Sequence, residues 1–136
     1  MNRILVIDDE PSISDLIREA LTRFGYAVET ASNGRQGLQL LKDSSFDLVV
    51  TDMCMPDLDG TCIVRHIRSS SRPLTPVIGI SGTPCVLEAT DCDAVLPKPF
   101  PLQALVDTVK RLKRISLSAA PNPTAFPLPF NPQPVL

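Results

Sequence analysis

The fold is decided by the stretch LVVTDMCMPDLDGT, residues 48–61, in which an apolar run stops at Asp52. An apolar run that contains β-branched residues is typical of a strand buried on both faces of a parallel sheet. A second aspartate, Asp57, follows Pro56 in the same stretch. Either Asp52 or Asp57 could be a reactive carboxylate, and the two alternatives imply different classes of protein.

Outside this stretch, strand-like apolar runs alternate with segments of helical periodicity. The predicted strands cover residues 3–8, 26–31, 46–51, 76–81 and 93–97. The predicted helices cover residues 11–25, 33–44, 61–69 and 101–114. This alternation predicts an α/β fold with a doubly wound, five-stranded parallel sheet and helices on both faces. Between the fourth and fifth strands there is room only for a shortened fourth helix of about two turns.

The first helix has the clearest start and stop signals. Pro11 suits the first turn of a helix, and Gly25 is predicted to end it. The apolar face predicted to point into the core consists of Ile13, Leu16, Ile17, Ala20, Leu21 and Phe24.

Composition narrows the class of protein. The chain has 136 residues, of which 43% are hydrophobic and 21% charged, and its formal net charge is −2. This balance gives no electrostatic reason to expect nucleic acid binding. No apolar run reaches the roughly 20 residues that a membrane span needs. Acidic residues follow the first apolar run directly, which is wrong for a signal peptide, so a cytoplasmic protein is expected.

A change in composition predicts two parts, a domain over residues 1–115 and a tail over 116–136. The tail is rich in proline and carries no charged residue, which favours an extended conformation over helix or sheet. It is either a passive tail or a segment that packs on a groove of its own domain or of a partner. One hypothesis is that Phe126 and Phe130 cover the surface left by the shortened fourth helix.

Polar side chains follow four of the predicted strands. They are Asp8, Asp9, Glu10, Asp52, Ser81 and Lys98. In a doubly wound sheet these positions meet at the crevice beyond the carboxyl ends of the strands. Clustered carboxylates repel one another unless a cation is bound, and Mg²⁺ prefers oxygen ligands. A carboxylate between a metal ion and a lysine is suited to attack phosphorus and form an acyl phosphate.

The motifs VIDDE, TDMCMPDLDG, VIGISG and LPKPF resemble those of the response-regulator receiver domain of two-component signalling, the CheY-like superfamily. The resemblance covers residues 3 to 114, with the motifs in the same order and at similar spacing. It implies a flavodoxin-like fold with strand order 2-1-3-4-5.

The resemblance also implies a role for each residue of the crevice. Asp52 matches the aspartate that a histidine kinase or phosphotransfer protein phosphorylates. Asp9 is expected to bind Mg²⁺ directly and Asp8 through water, together with Asp52 and the backbone carbonyl of Cys54. Ser81 matches the switch hydroxyl. Lys98 matches the phosphate-binding lysine, and its bond to the following proline is expected to be cis.

The expected function is that of an apparently stand-alone receiver, which is phosphorylated and switches conformation to control a downstream protein. It would not be an enzyme beyond autophosphorylation from acyl phosphate donors and slow self-dephosphorylation. A homodimer is left open. Family members commonly carry an aromatic switch residue where this chain has Val95. The alternative function is therefore a protein-binding module of the same fold that works without phosphorylation.

A remote alternative places the chemistry on Asp57. The sequence DLDGT also resembles the first motif of haloacid-dehalogenase-type phosphatases, which use an aspartyl nucleophile. That motif should follow its strand directly, whereas Pro56 and four other residues separate Thr51 from Asp57. The spacing therefore favours Asp52 as the reactive residue.

Overall fold

The computed structural model describes residues 2–82 and 91–117, with side chains described as far as residue 113. The strands are β1 Arg3–Ile7, β2 Ala27–Ala31, β3 Leu48–Asp52, β4 Val77–Ser81 and β5 Ala94–Pro97. The helices in these ranges are α1 Pro11–Arg23, α2 Gly34–Asp43, α3 Gly60–Arg68 and α4 Leu102–Leu117. Each element lies where the sequence predicted it, with boundaries shifted by a few residues.

The five strands form one parallel sheet in the order β2-β1-β3-β4-β5. The predicted doubly wound, flavodoxin-like fold is therefore confirmed. The strand order reverses between β1 and β3, and a ligand-binding crevice forms at such a reversal. The register sets Asp52 of β3 beside Ile80 of β4, one residue before Ser81. The residues at the carboxyl ends of the strands are thereby brought to one edge.

Two apolar cores lie on opposite faces of the sheet because alternate side chains of each strand point in opposite directions. On β1, Ile4 and Val6 pack beneath α1 and α4, whereas Leu5 and Ile7 pack beneath α2 and α3. Each of these strand residues is almost completely buried. Burial on both faces explains why the central strands are continuous apolar runs rather than alternating ones.

The predicted inward face of α1 was partly wrong. Ile17 and Leu21 are buried as expected, but Leu16 is 53% exposed and Phe24 is 48% exposed. The predicted face was wider than the stripe that one helix can bury against a sheet, so residues at its margins remain at the surface. The ring of Phe24 instead contacts the ammonium group of Lys110, 4.1 Å from the ring centroid. The last residue of the helix is Arg23, and Gly25, with a φ of 88°, follows the cap residue in the left-handed conformation by which glycine was predicted to end the helix.

Two predicted segments lie outside the described residues. The shortened fourth helix was predicted within residues 82–92, of which 83–90 lie outside the described ranges, and most of the tail lies beyond residue 117. Helix α4 continues to Leu117 and so includes the first two residues of the predicted tail. Within the described ranges, no helix combines the length and apolar character that a membrane span requires.

Candidate functional site

An acidic cluster lies at the carboxyl edge of the sheet, where β1 and β3 run side by side. Asp8 and Asp9 directly follow β1, and Asp52 is the last residue of β3. One carboxylate oxygen from each of the three lies within 4.8 Å of the others. The structure thus brings together the three carboxylates that the sequence placed at strand ends.

Asp8 is the most buried member of the cluster, with 1% of its surface exposed. Its Oδ1 atom accepts a hydrogen bond of 2.9 Å from the backbone amide of Glu10. Its Oδ2 atom is also buried, and no hydrogen-bond donor reaches it from the part of the chain that the structure describes. Burial raises the pKa of Asp8, with smaller contributions in the same direction from Asp52 and Asp9. A buried carboxylate oxygen without a donor fits a site for a hard cation.

Lys98 supplies the positive charge that faces these carboxylates. Its Nζ atom lies 3.3 Å from Oδ2 of Asp52, 3.7 Å from Oδ2 of Asp8 and 3.9 Å from Oε1 of Glu10. Burial by itself lowers the pKa of Lys98, but the carboxylates of Asp8 and Asp52 outweigh it and the pKa is raised. Lys98 therefore stays protonated in this crevice.

The backbone around Lys98 fixes where its side chain begins. The amide of Lys98 donates a hydrogen bond of 2.8 Å to the carbonyl of Ser81, so the residues that end β4 and follow β5 are joined. Ser81 itself is buried, with 1% of its surface exposed. The Lys98–Pro99 peptide bond is cis, as expected. Val95, which the resemblance places at the position of an aromatic switch residue, is half-buried on β5.

Asp52 is 4% exposed, and its two carboxylate oxygens have different partners. Oδ2 faces Lys98, whereas Oδ1 accepts a hydrogen bond of 3.1 Å from the backbone amide of Cys54. This bond turns the backbone after β3 toward the carboxylate. The side chain of Cys54 is exposed. Asp52 thus faces Lys98 in the crevice with one oxygen and is held in orientation through the other.

Asp57, the second candidate, is not part of this crevice. Its carboxylate accepts hydrogen bonds from the backbone amides of Gly34 at 3.1 Å and Arg35 at 3.0 Å. The bond from Arg35, with a smaller contribution from that of Gly34, lowers the pKa of Asp57. Its hydrogen bonds are therefore those of a helix cap.

Sequence reasoning missed a groove next to the crevice. The groove has a volume of about 470 Å³ and lies between α1 and the segment that joins β5 to α4. Its lining is formed by Ile13, Leu16, Ile17, Lys98, Pro99, Phe100 and Leu102. Helical periodicity assigned Leu16 to the core. The sequence feature that could have indicated the groove is the apolar face of α1, which is wider than one helix can bury.

The fold and the crevice together define a doubly wound α/β domain with an acidic, lysine-containing site at its topological switch point. Residues 4–110 match the family model of the response regulator receiver domain. The chain belongs to this family. Receiver domains are phosphoacceptor signalling modules that are generally not enzymes, and they bind Mg²⁺ at an acidic pocket.

Individual relatives and solved structures agree with this assignment. The chain is 37% identical to response regulator MprA of Mycolicibacterium vanbaalenii over 117 residues, which is 82% of this chain and 50% of that protein. It is 36% identical to the uncharacterized transcriptional regulatory protein YrkP of Bacillus subtilis, over 85% of this chain and 51% of that protein. The chain thus spans about half the length of the curated relatives it matches.

Solved receiver structures superpose on nearly their whole length. Response regulator TrrA of Thermotoga maritima, crystallised in complex with Mg(2+)-BeF, gives a TM-score of 0.75 at 32% identity, covering 82% of this chain and 99% of that one. The chemotaxis response regulator CheY4 of Vibrio cholerae gives a TM-score of 0.76 at 30% identity, covering 82% of this chain and 98% of that one.

Proposed function

We propose that this chain accepts a phosphoryl group on Asp52 from a histidine kinase or phosphotransfer protein, in a Mg²⁺-dependent reaction, and then switches conformation to control a partner protein. The observation that carries the proposal is the position of Asp52 in the crevice. Its Oδ2 atom lies 3.3 Å from the ammonium group of Lys98, and its carboxylate lies within the acidic cluster.

In the proposed reaction, a carboxylate oxygen of Asp52 attacks the phosphorus atom of the donor. An O–P bond forms to give an acyl phosphate, and the P–N bond to the donor histidine breaks with its electron pair going to the imidazole. The ammonium group of Lys98 already lies beside Oδ2, so it can pair with a phosphoryl oxygen placed there. The hydroxyl group of Ser81, at the end of the neighbouring strand, would donate a hydrogen bond to the same group.

The metal ligands in this proposal are the carboxylates of Asp9 and Asp52 and the backbone carbonyl of Cys54, with Asp8 acting through water. The donor-free Oδ2 atom of Asp8 supports a cation at this place. Bound Mg²⁺ would neutralise the negative charge that gathers when a phosphoryl group approaches three carboxylates. The protein side chains supply the position and orientation of the reacting oxygen.

A protein donor has a surface to dock on beside the site. The apolar groove between α1 and the β5–α4 segment shares Lys98 with the crevice, so a partner seated on it would reach Asp52. The half-exposed Leu16 in its lining suits a contact with an apolar side chain. We propose that the groove binds the phosphodonor and that a downstream partner or a second copy of the chain would contact other surfaces. The predicted tail, 116–136, is proposed as a separate segment from the point where α4 ends at Leu117.

A phosphorylation-independent binding module of the same fold is the second candidate. The observation that favours it is Val95, which is half-buried on β5 where receivers commonly have an aromatic switch residue. Without an aromatic ring at this position, the change of ring orientation that would signal phosphorylation is missing. Binding of the downstream partner would then depend on contacts that do not change. The complete acidic crevice favours the phosphoacceptor role instead.

The deciding measurement is the intact mass of the full chain after incubation with acetyl phosphate and Mg²⁺. One added phosphoryl group is expected for the parent, and none for Asp52→Asn or in the presence of EDTA. Asp59→Asn is the matched control, because it removes an exposed carboxylate from the same stretch and should keep the adduct. If the parent shows no adduct under any condition, the binding module is the better description.

A further inference from the structure

The loop between β3 and α3, residues 53–59, is tied to a distant part of the chain through Asp57. Oδ1 of Asp57 accepts from the amide of Gly34, 23 positions away, and Oδ2 accepts from the amide of Arg35. Gly34 is the first residue of α2 and Arg35 the second. The carboxylate therefore caps a helix to which it does not belong.

Asp57 completes the hydrogen bonding at the start of α2. A helix begins with four backbone amides that have no partner inside the helix. The amide of Gln36 donates to the side chain of the N-cap Asn33, whereas that of Gly37 makes the first bond inside the helix, to the carbonyl of Asn33. The amides of Gly34 and Arg35 donate to Asp57. Two of the partners that this helix start requires thus come from the loop after β3, which couples the loop position to this helix end.

Close packing around α2 makes this coupling rigid. A Cβ atom added to Gly34 would lie 2.6 Å from Cβ of Leu58, so the loop and the helix start are in tight contact. A Cβ atom added to Gly37 would lie 2.5 Å from Cδ1 of Ile7 on β1. Helix α2 is therefore pressed against the sheet on one side and against the loop on the other.

The other end of the same loop reaches the candidate cation site. Cys54 donates its amide to Oδ1 of Asp52 at 3.1 Å. Its carbonyl is the proposed backbone ligand for Mg²⁺. The direction of both groups depends on the path of the loop, since the Cys54 side chain is exposed and does not anchor it. The loop is held before Cys54 by the buried Met53, whose amide donates to the carbonyl of Ile80. Asp57 and Leu58 hold it on the other side, three and four positions further along.

We propose that Asp57 is a positioning residue for the cation site: by capping α2 it holds the β3–α3 loop in the path that aims the backbone of Cys54 at Asp52. This inference rests on the proposed function, because it concerns the metal that the acidic cluster would bind. It assigns to Asp57 a structural part in metal binding, in place of the nucleophilic role that its sequence context first suggested.

The negative charge of Asp57 could by itself strengthen the binding of a cation. A variant of Asp59 serves as the control that distinguishes this charge effect from the positioning of the loop. Asp59 lies two positions further on, carries the same charge, is exposed, and makes no side-chain hydrogen bond to the start of α3. Removal of either carboxylate changes the net charge equally, but only Asp57 holds the loop. The screening of exposed charges over about 10 Å by salt reduces the remaining electrostatic difference.

The test is calorimetric titration of the full chain with MgCl₂ at neutral pH and physiological salt. Asp57→Ala is expected to raise the Kd for Mg²⁺ about tenfold, the lower end of what the loss of an outer-shell partner causes. Asp57→Asn keeps an oxygen acceptor for one of the two α2 amides and is expected to recover part of the affinity. Asp59→Ala is expected to bind Mg²⁺ like the parent.

Amide NMR spectra of the same variants show whether the effect passes through the loop. In Asp57→Ala, the amide resonances of Gly34, Arg35 and Cys54 should all shift, while Asp59→Ala should leave them in place. Equal Mg²⁺ affinities for Asp57→Ala and Asp59→Ala, or an unmoved Cys54 resonance, would overturn the positioning role. If the parent itself does not bind Mg²⁺, the proposed function is overturned as well. A failure of the proposed function therefore appears in the parent, whereas a failure of the positioning role appears only in the comparison of the variants.

Discussion

Gly60 provides the sharpest test of how the site is packed. It is the first residue of α3, and its amide donates a hydrogen bond of 3.1 Å to the carbonyl of Met53. A Cβ atom on Gly60 would lie 2.6 Å from the carbonyl oxygen of Asp52, 2.6 Å from Cα of Met53 and 2.8 Å from Sδ of Met53. The first two atoms belong to the backbone at the end of a buried strand. We therefore expect Gly60→Ala to force α3 and the end of β3 apart.

The size of the effect follows from these distances. Carbon atoms pack at about 3.5–4.0 Å, so the backbones must separate by roughly 1 Å. Overpacking of this kind typically costs about 1–3 kcal/mol, and no side-chain rotation can relieve a clash with backbone atoms. For a domain of about 100 residues, each kcal/mol lowers Tm by roughly 4–8 °C. Since Asp52 moves with the strand end, phosphorylation by acetyl phosphate should slow as well.

Gly82→Ala is the matched control, because the nearest atom that the described residues bring to its added Cβ is Cβ of Lys98 at 4.0 Å, an ordinary contact. Thermal unfolding followed by circular dichroism compares the two variants with the parent. Gly82→Ala is expected to change stability by less than about 0.5 kcal/mol, as is usual for exposed positions. The packing argument fails if Gly60→Ala melts at the same temperature as Gly82→Ala and is phosphorylated at the parent rate.

Three further predictions concern charged groups. Without Mg²⁺, Asp8→Asn should raise Tm because it removes a buried charge, but it should abolish the rise in Tm that Mg²⁺ gives the parent. Asp47→Asn should lower the stability of the fold at neutral pH. Burial by itself raises the pKa of Asp47, but the hydrogen bond of 2.7 Å from the Arg3 amide and the nearby positive charges outweigh burial and lower that pKa. This stabilisation is present above the unfolded pKa and lost as pH falls through the folded pKa below 3.8, so melting curves of parent and variant should converge in acid. Arg68→Lys should lower the free energy of unfolding, measured in urea, by about 2 kcal/mol. The guanidinium group of Arg68 donates four hydrogen bonds of 2.8 Å, one of them to Asp93, and an ammonium group cannot reproduce all of them. A loss below about 0.5 kcal/mol would contradict this reasoning.

The pattern of apolar and polar residues is enough to predict the order of the strands and helices and the residues that meet in the crevice. Continuous apolar runs separated by helical periods lead to a parallel sheet, and parallel strands bring their carboxyl ends to one edge. Asp8, Asp52 and Lys98 could therefore be placed together without knowledge of any contact. The family motifs then gave each residue its expected role.

Tertiary structure alone decided what each side chain meets. Periodicity shows which residues share a face but not how much of that face a neighbour covers, so Leu16 was assigned to the core although it lines an open groove. Asp57 was considered as a nucleophile because the sequence around it shows its neighbours in the chain but not its partners in the folded protein. Its partners, the amides of Gly34 and Arg35, lie more than 20 positions away and are brought to it by the packing of α2 on the sheet. A hydrogen bond between distant segments depends on the path of both, and that path is fixed only when the whole core is packed.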